Sequence, residues 1–365
     1  MTGKIAYFGK DGKVGFVSHE LPEPGPGALL ARVLSSNICG SDVKNWKSGV
    51  SLGVGGEKTC QGHEFVGRIE RLGEGVTTDY AGQPIQVGDR IVAAYYITCG
   101  ECRACKMGRY DQCENAYIHL GQSPEDFPYF SGTFATHYYI HPKQHFYKVP
   151  DTLPDSLAAG ANCRFSQIYY GLEHVGLAAG ETLLIQGAGS MGLYAAAIAR
   201  EAGATTIVID SVADRLEMAK RFGADHVINM TDLPELADRE RAVRELTGGR
   251  GADVAVEVTG VAAAVEEGFH HLAPMGRYVI IGTNVLSAKA TLSPGYITRK
   301  SLTVTGVARY LPEYLHKSLL FLDKFQHKYP FDEFSTGTYT LDQLEEGMQM
   351  VADRKVIRAV VTPEL

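Results

Sequence analysis

Leu183-Leu184-Ile185-Gln186-Gly187-Ala188-Gly189-Ser190-Met191-Gly192 runs from an apolar strand through a glycine turn into an alanine-rich segment with helical spacing. This is G-x-G-x-x-G in the setting that gives the pattern meaning. Gly187 permits the tight turn, Gly189 lets backbone approach a pyrophosphate, and Gly192 allows the helix to pack on the strand. The free N–H groups at the start of that helix suit an anion. The next apolar run ends in Ile207-Val208-Ile209-Asp210, an acid about twenty residues on, where a carboxylate accepts hydrogen bonds from the adenosine ribose hydroxyls. Asp210 repels a 2′-phosphate, so NAD is expected over NADP. The competing reading is a bare glycine turn followed by a surface aspartate, and the conjunction of strand, turn, helix and acid weighs against it.

The surrounding chain repeats the same texture. Runs at 182–186, 206–210, 226–229, 253–258 and 278–281 are β-rich, and the segments between them, such as 195–202 and 215–222, carry helical spacing. Strand, helix, strand predicts a doubly wound parallel sheet, because parallel strands need crossovers. A sixth strand is expected at 301–306, then a helix at 341–351 and a strand at 356–361. Before residue 150 the texture differs: short apolar runs at 29–34, 65–72 and 90–97 are punctuated by Gly and Pro, which reads as an all-β domain, a small barrel. The expected division is 1–155, 156–300 and 301–365.

The 365 residues are 45% hydrophobic and 21% charged with a formal charge of −7, which fits a soluble globular chain of two or three domains. That charge and the lack of a basic block speak against nucleic acid as a partner. No apolar stretch reaches the length of a membrane span, and the first residues lack an apolar signal core. A cytoplasmic location, where thiols stay reduced, is expected.

Four of the seven cysteines crowd into Cys99, Cys102, Cys105 and Cys113 on one loop. The spacing C-x2-C-x2-C-x7-C supplies four thiolates to a tetrahedral zinc and leaves no open position, so this zinc is expected to be structural. Paired disulfides or a redox C-x-x-C would each leave part of the cluster unexplained. The remaining cysteines are Cys39, in Asn37-Ile38-Cys39-Gly40-Ser41-Asp42, Cys60, and Cys163, in Asn162-Cys163-Arg164-Phe165-Ser166; His63 stands in Gly62-His63-Glu64. Each alone has a bland explanation as packing.

Together these motifs, in this order and spacing, resemble the zinc-containing alcohol dehydrogenases of the medium-chain dehydrogenase/reductase superfamily over essentially the full chain. The resemblance implies a GroES-like β-barrel catalytic domain joined to a Rossmann coenzyme domain. It also implies two zinc ions per chain, NAD, and a second zinc held by Cys39, His63 and Cys163 with its fourth position open. Glu64 would be a transient ligand and Cys60 only a packing thiol. Cys163 stands where the polyol-dehydrogenase branch has, as a rule, a glutamate.

The reaction so implied is hydride transfer between NAD and an alcohol, a secondary or cyclic one being favoured, to give an aldehyde or ketone. A polyol or threonine dehydrogenase on the same fold is the alternative, and a non-catalytic zinc and dinucleotide protein the third. Ser41 resembles the first proton acceptor of the family relay. Lys44 replaces a histidine that completes that relay in many relatives, and Gly40 replaces a basic residue.

Asp42 resembles a carboxylate that orients the histidine ligand, with a turn cap as the alternative. Arg358 resembles a residue reaching back to the pyrophosphate, with a solvated strand-edge arginine as the alternative. The coenzyme set is read as Gly187, Gly189, Ser190, Met191, Gly192, Asp210, Arg215, Thr259, Gly282 and Arg358. Trp46 and Tyr95 resemble pocket-lining residues, or else pack between loop and barrel. The aromatic run Phe127, Pro128, Tyr129 and Phe130 has no assigned role. The resemblance further implies a homodimer or homotetramer.

Overall fold

The computed structural model describes residues 1–48, 57–283 and 285–363. The chain forms two compact units, Gln167–Tyr310 and Met1–Ser166 with Leu311–Leu365. The sequence placed these passages at 155/156 and 300/301; the segment carrying Cys163 lies with the first unit.

In Gln167–Tyr310 six parallel strands stand side by side in the order His226–Asn229, Thr205–Asp210, Thr182–Gln186, Ala252–Glu257, Leu272–Ile280, Thr303–Gly306. The order reverses beside Thr182–Gln186, so the glycine turn that follows this strand opens at the carboxyl edge where the two halves diverge. Leu183, Leu184 and Ile185 are fully buried, as a strand covered on both faces requires. On one face Leu184, Ile207, Ile228, Ala255 and Tyr278 share a core with Val265 and Phe269 of the helix Ala262–His271. The helix Ser190–Glu201 begins directly at the turn, five residues ahead of the alanine periodicity at 195–202 that announced it.

The other unit is built on a seven-stranded sheet. Ser335–Thr340, Arg358–Thr362, Leu29–Asn37, Glu64–Leu72, Arg90–Ala93 and Phe146–Lys148 follow one another, and His137–Ile140 pairs with Leu29–Asn37. A smaller sheet joins Thr2–Gly9 to Val14–Glu20 and Lys58–Cys60. The end of the chain is woven into its beginning: Leu344, Met348, Ala359 and Val361 pack in one core with Ala6, Phe8, Ile38 and Trp46. The expected helix at 341–351 is a short 3-10 turn, Leu341–Gln343, running into Leu344–Ala352. No helix among the described residues is long and apolar enough to cross a membrane.

Candidate active site and metal centres

Cys39 lies two residues beyond the strand Leu29–Asn37 and directly before the helix Gly40–Ser48; His63 immediately precedes the strand Glu64–Leu72; Cys163 sits in a single π-helical turn, Ala161–Phe165. A π turn is uncommon and concentrates at functional sites, since the extra residue re-aims a side chain. The donor atoms of Cys39, His63, Glu64 and Cys163 all lie within 4.8 Å of one another. Asp42, buried at 1% exposure, places Oδ1 3.2 Å from His63 Nδ1 and accepts the Cys39 backbone N–H on Oδ2 at 2.8 Å. The two sequence readings of Asp42, turn cap and histidine partner, are thus one arrangement. With Nδ1 so engaged, Nε2 is the ring nitrogen left to ligate.

The electrostatics are those of a site built for a cation. Hydrogen bonding from the Cys163 thiol, together with the Arg164 guanidinium, outweighs burial and draws the Cys39 thiol well below its usual range. Cys163, donating to Cys39 and itself buried, is pushed well above it. Burial opposes the His63 imidazolium, but the Asp42 carboxylate outweighs it and raises His63. Burial likewise pushes the Glu64 carboxyl up to about 7, against the pull of Arg164. Two thiols contending for one proton beside an oriented imidazole is a donor set that suits zinc, which takes both as thiolates.

The four-cysteine loop fits the same metal differently. Cys99 and Cys105 place their sulfurs 3.9 Å apart, close to the edge of about 3.8 Å that a tetrahedron with bonds of about 2.3 Å requires. Backbone N–H groups point at the sulfurs: Glu101 and Cys102 donate to Cys99, Cys105 to Cys102, and Cys99 to Cys113. Those from Cys102 and Glu101 bring Cys99 down to about 6, whereas burial pushes Cys105 up to about 12. No carboxylate or histidine belongs to this set, and all seven cysteines are free.

In the other unit the glycine turn shows why each glycine is there. Gly187 has φ +106°, and a Cβ on Gly192 would lie 1.8 Å from the Gly187 carbonyl oxygen. At Gly189 a Cβ would meet nothing within 4 Å, so no internal packing demands glycine; the space in front of the helix start is left open, as a phosphate cradle needs. No side chain caps that helix start. Asp210 accepts the N–H of Ala188 at 2.6 Å and of Val212 at 2.9 Å, tying the strand end to the turn. Glu257, absent from the sequence reading, is fully buried and accepts from Thr259 N and Oγ1, Gly260 N and Thr283 N. It thereby arranges the loops that carry Thr259 and Gly282. These features fit a dinucleotide. Arg215 is half-buried on the helix Ala213–Arg221, and Ser190 and Met191 open the helix after the turn.

Similarity to known proteins agrees with this geometry. Residues 25–151 match the alcohol dehydrogenase GroES-like domain and residues 190–324 the zinc-binding dehydrogenase domain. The chain is 32% identical to 5-exo-hydroxycamphor dehydrogenase of Pseudomonas putida, with 94% of each chain covered. The chain belongs to the zinc-containing alcohol dehydrogenase family. This alcohol dehydrogenase is also 32% identical to L-threonine 3-dehydrogenase of Pyrococcus horikoshii, covering 94% of this chain and 93% of the other. Its fold superposes on an alcohol dehydrogenase from Thermotoga maritima with a TM-score of 0.93 over 100% of both chains at 26% identity. It is an oxidoreductase acting on CH–OH groups with zinc and a nicotinamide coenzyme.

Two expectations for this dehydrogenase need correction. Trp46 belongs to the core with Phe8, Val43 and Met348, because its helix packs on the C-terminal helix Leu344–Ala352; it is buried and not a pocket wall. Arg358 is not a solvated strand-edge residue. Its strand is interior to the sheet, so the side chain is 1% exposed and donates to the Ser156 carbonyl at 3.1 Å. Tyr95 does stand beside the ligand set, edge-on to His63 at 5.5 Å, backed by Tyr96 and stacked with Tyr117. Ser41 is half-buried and Lys44 exposed on the helix Gly40–Ser48. In the aromatic run Phe130 is buried, Phe127 exposed, and Tyr129 stacks on His19 at 4.2 Å.

Proposed function

We propose that the chain is an NAD-dependent dehydrogenase of secondary or cyclic alcohols that carries two zinc ions, one reactive and one structural. The observation that carries this reading is the contrast between the two donor sets. Among the described residues one is four cysteines with no other donor of this kind; the other is Cys39, His63 and Cys163 with one further donor, the carboxylate of Glu64. Zinc on the second set would act as a Lewis acid that lowers the pKa of the alcohol, and NAD at the glycine turn would accept the hydride.

The chain's own residues then have definite tasks. Asp42 fixes the rotation and tautomer of His63. The Ser41 hydroxyl, half-buried at the start of its helix, takes the proton, and Lys44, one turn on along the same face, leads outward to solvent. Asp210, at the end of its strand, holds the ribose hydroxyls and disfavours a 2′-phosphate. Tyr95 stands edge-on to His63 with Tyr96 and Tyr117 behind it, and this aromatic wall suits an apolar ring more than an ammonium or carboxylate. This favours cyclic alcohols over threonine and polyols.

The test is a panel of cyclic, linear, polyol and amino alcohols with NAD and NADP on metal-assayed protein. Two zinc per chain and the largest kcat/KM on a cyclic secondary alcohol with NAD are expected. One zinc without turnover, or turnover confined to threonine, overturns the reading. Seven free thiols support a reducing, cytoplasmic setting. A homodimer or homotetramer is proposed on the family resemblance alone, with sedimentation as its check.

A further inference from the structure

The residue after each proposed zinc ligand, or before it, meets one side chain. Arg164 follows Cys163 directly in the π turn. Its Nη2 donates at 3.1 Å to the carbonyl of Ile38, the residue before Cys39. Its Nε lies 3.4 Å from Oε1 of Glu64, the residue after His63. The guanidinium is 12% exposed and the Glu64 carboxylate 1%, so this ion pair is little screened. Asn162, on the other side of Cys163, donates to the His63 carbonyl at 2.7 Å and to the Ala93 carbonyl at 2.8 Å. The three ligand segments come from distant parts of the chain, and these two side chains stitch them together.

We infer that Arg164 is a positioning residue that holds the Glu64 carboxylate out of the coordination sphere of the Cys39–His63–Cys163 metal, keeping the fourth position for an exogenous oxygen or nitrogen donor. The inference rests on the metal reading above. Glu64 is the competitor built into the site: its donor oxygen lies within 4.8 Å of both sulfurs and the imidazole. Its Oε2 accepts only a long contact from the neutral amide of Asn37 at 3.4 Å, and Oε1 takes no hydrogen bond among the described residues, so the guanidinium 3.4 Å away acts on it through charge. The guanidinium is the one cation in ion-pair contact with Glu64 among the described residues, and a planar fork bonded at its far end to a backbone carbonyl cannot swing away with the carboxylate. Removing the fork frees Glu64 to enter as a ligand and close the site.

Cobalt-substituted protein reads this directly, because the d–d spectrum of Co(II) reports coordination, with imidazole as the added donor. In the unaltered protein imidazole shifts the spectrum. In Arg164→Gln its Kd is expected to rise about tenfold, and Arg164→Gln with Glu64→Gln to return toward the original value, a non-additivity that a merely structural role would not produce. Glu64→Gln alone leaves the Kd within about twofold, since the carboxylate is already held off.

An unchanged Kd in Arg164→Gln, or a loss that Glu64→Gln does not repair, overturns the proposal. So does a tenfold tightening in Glu64→Gln alone, which stands even if Arg164→Gln does not fold. A Co(II) spectrum in the unaltered protein that ignores imidazole removes the metal reading itself, and is told apart by occurring before any substitution.

Discussion

Asp42 Oδ1 lies 3.2 Å from Nδ1 of His63 while its other oxygen accepts the N–H of Cys39, so one buried carboxylate sets both the ring tautomer of one ligand and the backbone of another. Asp42→Asn tests this with almost no change of shape. Its amide oxygen can still accept from Cys39, which turns the NH2 group toward Nδ1 and moves the ring proton to Nε2, the nitrogen needed for metal. Affinity for the reactive zinc is expected to fall about 10–100-fold, read by competition with a chelator. An unchanged affinity would reduce Asp42 to a turn cap.

The glycines of the turn separate stability from binding. Gly192→Ala drives a Cβ to 1.8 Å from a backbone oxygen, and the melting temperature is expected to drop by several degrees, for a cost of about 1–3 kcal/mol. Gly189→Ala meets nothing, so stability stays within about 1 kcal/mol while the Kd for NAD rises at least tenfold. Equal effects on melting at the two positions would refute the assignment of Gly189 to a phosphate cradle.

Asp210→Asn keeps an acceptor for Ala188 but removes the charge that disfavours a 2′-phosphate. Arg215 stands close by in sequence, and its side chain makes no hydrogen bond or ion pair with the described residues, which leaves a cation available. The ratio of kcat/KM with NADP to that with NAD is expected to rise by on the order of tenfold to a hundredfold. A ratio that stays put in steady-state kinetics would remove Asp210 from coenzyme selection.

Acid stability of the coenzyme-binding unit centres on Glu267. Burial opposes its charge, but hydrogen bonds from His271 and the bidentate Arg239 fork outweigh this and hold the carboxyl at about 2, against an ordinary 4.5. A depressed carboxylate adds stability that is complete above about 4.5 and is lost as pH falls toward about 2. Glu267→Gln leaves Arg239 buried without its counter-charge, at a cost of about 3–5 kcal/mol at neutral pH. Urea unfolding at pH 7 and pH 3 should show the gap between the two proteins narrowing in acid; a constant gap would mean that Glu267 is protonated in the folded state or uncoupled from folding.

Much of the site could be read in advance because its chemistry is carried by residue type and local spacing. Cys39, His63 and Cys163 could be named because the motifs around them resemble those of a known family, and Gly187, Gly192 and Asp210 because strand and turn frame them. What stayed hidden depends on packing between remote segments. The alternative of a strand-edge residue stayed open for Arg358 because nothing local reveals that its strand lies between Ser335–Thr340 and Leu29–Asn37. Trp46 looked like a pocket residue because the helix that covers it comes from the far end of the chain. Glu257 did leave a trace, an acid closing the apolar run Val254-Ala255-Val256, and Arg164 another, a charge between Cys163 and Phe165. Both are charged groups beside buried residues: Glu257 accepts from Thr259 and Thr283, and Arg164 contacts the segments that carry Cys39 and His63.

The coenzyme-binding unit is an insertion: the chain leaves the first unit at Ser166 and returns at Leu311. During synthesis the inserted unit can therefore finish folding while its host is still missing the strand Arg358–Thr362 and half of the core around Trp46. The host, which carries all seven cysteines, is complete only once the strand Arg358–Thr362 has been made. Its thiols stand unprotected for longest, and a nascent chain of this kind depends on the reducing power and free zinc around it until the two ends meet.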